Sequence, residues 1–100
     1  MIRYSRKALA LIDELRAYYV RKERIEALFS LQAALREAEA LIERSPLKGL
    51  PAPRPYPELA AEGERWVLVR HYWIAYTTAD LPIILAVFNE SADIPRRFEP

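Results

Sequence analysis

Apolar side chains recur at helical spacing from the start of the chain. Ala8, Leu11, Ile12, Leu15, Tyr18 and Tyr19 share one face, and Leu28, Leu31, Leu35, Ala38, Leu41 and Ile42 form a second stripe. Residues 5–44 contain neither Gly nor Pro, so helix is predicted throughout, with Ser5 placed to cap the first turn. One continuous helix of that length would reach ~60 Å, whereas a domain of this size has a radius of gyration of only ~13 Å. Each stripe also needs an apolar partner, and the nearest is the other stripe. The segment is therefore predicted to fold back as two antiparallel helices. The turn falls at the wholly charged Arg21-Lys22-Glu23-Arg24, although no breaker residue stands there.

After Arg44 the periodicity stops. Five of the eight prolines crowd into residues 46–57, which predicts an extended connector over 45–64. Alternation then takes over in residues 65–89. Trp66 to Val69 and Tyr72 to Thr77 read as a hairpin punctuated by Arg70 and His71, and Ile83 to Phe88 as a third strand opened by Pro82. Met1 to Tyr4 supplies a short edge strand, and residues 90–100 form a polar tail. The expectation is a single α+β domain, a two-layer β(short)-α-α-β-β-β chain whose antiparallel sheet carries the helical hairpin on one face.

Alternation also allots side chains to faces. Tyr72, Ile74 and Tyr76 oppose Trp73, Ala75 and Thr77. Ile83, Leu85 and Val87 oppose Ile84, Ala86 and Phe88, and Trp66 and Leu68 oppose Val67 and Val69. Both faces are thus apolar, yet one helical hairpin covers one face. The preferred reading leaves the other as a groove for another polypeptide or a second copy, because monomers rarely keep large apolar patches. The alternative folds the connector and tail over it, with Tyr56, Leu59, Ile94 and Phe98 as plugs.

Composition narrows the chemistry. With 15 Lys+Arg against 14 Asp+Glu, the formal net charge of +1 is far from that of a nucleic-acid binder. The absence of Cys excludes disulfides and thiol chemistry, and a lone histidine, His71, leaves little for a metal site or a triad. Neither a metal nor a cofactor is expected. Asp80 splits the most hydrophobic region into uncharged runs of nine, well short of the ~20 residues of a membrane helix. Met1-Ile2-Arg3-Tyr4 is charged too early for a signal peptide, so a cytoplasmic protein is expected.

Several segments resemble the RelE/ParE toxins of type II toxin–antitoxin modules. Ser5-x-x-Ala8 with Ile12, Leu15 and Tyr18 resembles their opening helix. Leu41-Ile42-Glu43-Arg44-Ser45-Pro46-Leu47-Lys48-Gly49 resembles the end of their second helix. Tyr72-Trp73-Ile74-Ala75-Tyr76 is similar to their Tyr-x-Ile-x-Tyr strand, and Ile83 to Asn89 followed by Asp93 to their last strand. The chain departs from the pattern in a short first strand, in Leu11 where an acidic residue is common, and in Asn89 where many members carry histidine.

The resemblance implies a toxin restrained by a cognate antitoxin, and it offers two activities. RelE-like members cut messenger RNA on the ribosome, and ParE-like members poison DNA gyrase. Cleavage through a 2′-oxygen needs a base, cations for the phosphorane and an acid for the leaving group. Here the segment after the last strand has neither Tyr nor His, and Phe98 carries no proton to give. The ParE-like reading, with gyrase as target, no direct nucleic-acid contact and no hydrolytic chemistry, is therefore preferred. The alternatives are a ribonuclease using Arg65, Arg70 and His71, or an inactive family member. Candidate partner contacts are Trp66, Trp73, Tyr76, Arg70, Arg96 and Arg97, though the tryptophans serve equally as core and the arginines as solvated surface.

Overall fold

The computed structural model describes residues 2–97. The elements run β1 (Arg3–Tyr4), α1 (Arg6–Arg21), α2 (Ile25–Arg44), a 3₁₀ turn (Pro57–Leu59), β2 (Glu64–Val69), β3 (Tyr72–Thr77), β4 (Ile83–Asn89) and α3 (Ile94–Arg97). The α+β order is the expected one. Strands lie in the order β1-β4-β3-β2, with β2–β3 and β3–β4 antiparallel. The edge strand β1, however, pairs with β4 in parallel, so the sheet is mixed rather than purely antiparallel.

Ser5 caps α1 by accepting the Ala8 amide at 3.1 Å, and its own amide donates to the Ile84 carbonyl at 2.9 Å. The break between the helices needs neither Gly nor Pro. The Arg24 amide donates to the Tyr19 carbonyl and the Glu23 amide to that of Val20, at 2.8 and 3.0 Å, with Glu23 at φ 54°. This is a Schellman stop whose left-handed position is held by a glutamate instead of glycine. Glu23→Gly is accordingly expected to raise the unfolding free energy by about 0.5–1 kcal/mol, measured by urea denaturation.

Two apolar clusters flank the sheet. Beneath the helical hairpin, Ile12, Tyr19, Leu31, Leu35 and Ile42 meet Val69, Tyr72, Ile74, Tyr76, Ile84 and Val87. On the opposite face Trp66, Trp73, Ala75, Ala86 and Phe88 pack with Leu11 and Ile94, and Leu50, Tyr56, Leu59 and Ala92 lie against them. The expectation of an uncovered second face is thus overturned, and the connector and tail close it. Leu50 bridges to Trp66 through two 2.7 Å backbone hydrogen bonds, and Pro53 is fully buried. The Arg54 guanidinium sits 5.7 Å from the Trp73 ring centroid. Tyr56 donates to the Ala92 carbonyl at 3.4 Å, joining connector to tail. Of the four expected plugs, Tyr56, Leu59 and Ile94 take this role, and Phe98 lies outside the described residues.

The faces of β4 also differ from strict alternation. Ala75 pairs with Ala86 but Tyr76 with Ile84, leaving Leu85 as an extra residue. This bulge puts Ile84 and Val87 on the helical side and Leu85, Ala86 and Phe88 on the other. Ser5 Oγ donates to the Leu85 carbonyl at 3.3 Å.

Candidate functional site

A cleft of about 590 Å³ lies at the turn end of the helical hairpin. The end of α1 supplies Leu15, Tyr18 and Tyr19, and the start of α2 supplies Glu26, Ala27 and Ser30, with Arg24 from the turn between them. His71 and Tyr72 come from the β2–β3 turn, and Asn89, Glu90 and Ser91 from the end of β4. The Tyr19 and Tyr72 hydroxyls are 2.5 Å apart. His71 Nδ1 lies 2.9 Å from Glu90 Oε2, and the Asn89 carboxamide oxygen accepts from the Ser91 hydroxyl at 2.7 Å. Register explains the pairing: Tyr72 opposes Asn89, so the next position on each strand sets His71 beside Glu90.

The electrostatics of this cleft are balanced. Arg24 and His71 face Glu26 and Glu90, which is no grip for a polyanion. An imidazole held by a carboxylate can accept a proton, but His71 is 76% exposed. Burial, then the hydrogen bond with Tyr19, pushes the Tyr72 phenol well above its ordinary value. Burial and the Glu39 carboxylate do the same to Tyr4, whose hydroxyl donates to Glu39. Burial also raises Tyr76, opposed in part by the Gly49 amide and the Arg65 cation. A folded chain that keeps phenolic protons which the unfolded chain releases is fully stabilised below about pH 10 and loses stability as pH rises past it. The urea concentration at the unfolding midpoint is therefore expected to fall steadily above about pH 10. Tyr72→Phe should flatten that dependence, and an unchanged slope would contradict it.

The sequence-designated residues do not converge. Arg65 and Arg70 stand at opposite ends of β2, roughly 17 Å apart along the strand. Arg65 donates to the Gly49 carbonyl at 2.8 Å. Arg70, at φ 57° in the turn, is held by Glu37 through two bonds of 3.1 and 2.9 Å. His71 turns to Glu90 instead. Trp66, Trp73 and Tyr76 are all buried inside the fold, where they have no surface to offer a partner. Arg96 is exposed on α3, and the Arg97 side chain lies outside the described residues. Sequence reasoning missed Tyr18, Tyr19, Arg24, Tyr72 and Glu90 as cleft residues. The signal was there in the adjacent tyrosines ahead of a charged run and in the hairpin register.

No protein-family model matches this sequence, and neither does any curated protein. Among solved structures, the chain is similar to one from "Chromosomal ParDE TA system from P. aeruginosa". The TM-score is 0.65 at 16% identity, covering 88% of this chain and 92% of that chain. The shared feature is the fold. No helix among the described residues is long and apolar enough to cross a membrane.

Proposed function

We propose that the chain is the toxin of a type II toxin–antitoxin module, a ParE-like protein that binds DNA gyrase and is neutralised by a cognate antitoxin. The observation that carries this reading is the fold shared with a chain of a ParDE toxin–antitoxin system over nearly the full length of both. The RelE/ParE-like motifs at Ser5, Pro46–Gly49 and Tyr72–Tyr76 add to it. An open apolar sheet face no longer contributes, since the chain covers that face itself.

Gyrase is favoured over ribosomal RNA by the dispersal of the cations. Arg70 is neutralised by Glu37 and His71 sits against Glu90, while Arg65 is committed to the Gly49 carbonyl. A phosphorane would find no convergent set among them. The chain acts, on this reading, by binding a cytoplasmic target rather than by hydrolysis.

Inducing the chain alone in cells tests the proposal. Filamentation and a DNA-damage response with intact messages are expected, relieved by co-expressing the neighbouring upstream reading frame. Transcripts cut at translated codons would instead assign a ribonuclease, with the His71 cleft as its first suspect. Growth indifferent to induction would refute the toxin reading.

A further inference from the structure

Leu47 and Leu81 are each 67% exposed, and both line one cavity of about 470 Å³. It lies at the end of α2 away from the hairpin turn, about 30 Å along the helix. Ile2, Ile42, Pro46 and Pro82 complete its apolar wall, and Glu43 and Asp80 carry its charge. A second cavity of about 220 Å³ adjoins it, since Leu47 and Thr78 stand in the walls of both. The shared wall is fixed. The Thr78 amide and hydroxyl donate to the Gly63 carbonyl at 2.9 and 3.3 Å, and the Ile83 amide donates to Thr77 Oγ1 at 3.0 Å. Glu64 and Arg65 supply the charge of the smaller cavity. Arg65 is committed to the Gly49 carbonyl. Glu64 is not answered: its Oε1 is enclosed with no hydrogen-bond partner. Among the described residues, neither Glu64 nor Asp80 enters an ion pair. A carboxylate with one oxygen shut away from water and from donors is left poorly compensated.

We infer that these joined cavities form a two-part trough for an extended segment of another polypeptide that carries Arg or Lys beside an apolar side chain. The cationic side chain enters the smaller cavity and compensates Glu64. The apolar one fills the larger cavity between Leu47 and Leu81, below Asp80. Alternate side chains of an extended chain share a face, which suits two contiguous subsites, and opposite charge fixes the register. Other occupants fit less well. A second copy in a two-fold contact would set Glu43 and Asp80 against their own equivalents. Nucleic acid and anionic lipid would bring phosphate against carboxylates. A small free cation would leave Leu47 and Leu81 in water. The inference goes beyond the toxin reading and does not depend on it.

The test is fluorescence anisotropy of the full chain with the labelled synthetic peptide Thr-Leu-Thr-Arg-Thr-Leu-Thr. Saturable binding is expected, weakened at least about tenfold by Leu47→Ser with Leu81→Ser, and similarly by Glu64→Gln with Asp80→Asn. Asp80→Asn alone changes an exposed side chain, so it should keep the parent's circular dichroism and still weaken binding about threefold. Peptides with Glu in place of Arg, or Ser in place of Leu, should not bind. The inference is overturned by absent binding, by equal binding to the variants, or by equal binding of the Glu or Ser peptides. Argininamide or spermidine competing as tightly as the peptide would overturn it in favour of a small-cation site. Self-association of the parent, lost in Leu47→Ser with Leu81→Ser, would overturn it in favour of a second copy.

Discussion

Trp66→Ala is expected to lower the unfolding free energy by about 3–5 kcal/mol, the usual cost of emptying a fully packed indole site. Trp66 has no exposed surface, and it stands where the sheet and the proline connector join. Its backbone exchanges two 2.7 Å hydrogen bonds with Leu50, and its ring fills the cluster with Trp73, Phe88 and Ile94. Native stabilities are only about 5–15 kcal/mol, so the variant should melt far below the parent or fail to accumulate. The measurement is chemical denaturation followed by near-ultraviolet circular dichroism. Were Trp66 a partner anchor on an open face, its removal would leave the isolated chain's stability near that of the parent and weaken only the complex. That outcome would contradict the closed second face.

Gly49→Ala is the other substitution with a large expected cost, about 2–3 kcal/mol from overpacking and a lost hydrogen bond. A Cβ at Gly49 would stand 2.5 Å from the Tyr76 hydroxyl and 2.9 Å from the Arg65 Cβ. Those neighbours cannot simply retreat. The Tyr76 hydroxyl donates to the Pro46 carbonyl at 2.6 Å and accepts from the Gly49 amide at 3.2 Å. Arg65 holds the Gly49 carbonyl at 2.8 Å. The glycine is required for space, since it is the contact point where the connector leaves α2 and crosses the end of β3. Tyr76→Phe removes the nearest clashing atom, so Gly49→Ala combined with Tyr76→Phe should cost measurably less than the sum of the single changes. Strict additivity would place the strain elsewhere.

These two residues also mark where sequence reasoning stopped. Trp66 and Tyr76 are legible as strand residues because alternation needs only the sequence, but only the strand pairing places them on opposite faces. Which of them would meet solvent depends on Leu50, Pro53, Tyr56 and Leu59, which carry no period and so no directional signal. The expected alternation in β4 failed at Ile84 and Leu85, because the Leu85 bulge is a pairing event between strands. The cleft follows the same logic. His71 and Glu90 are far apart in sequence and meet only through the β3–β4 register, whereas the Tyr18-Tyr19 pair was visible but read as core.

Local physics written along the chain determined the two helical stripes, their reversal near residues 21–24, the strands and the succession of elements along the chain. A period of 3.6 or 2 is a property of neighbouring residues, and helix or strand follows from it. Only the tertiary structure decided that β1 runs parallel to β4, that Arg65 stands apart from Arg70 and His71, and that the proline connector seals the second face. Each of those depends on long-range packing, where an aperiodic segment goes wherever its apolar side chains are best buried and its backbone groups find partners.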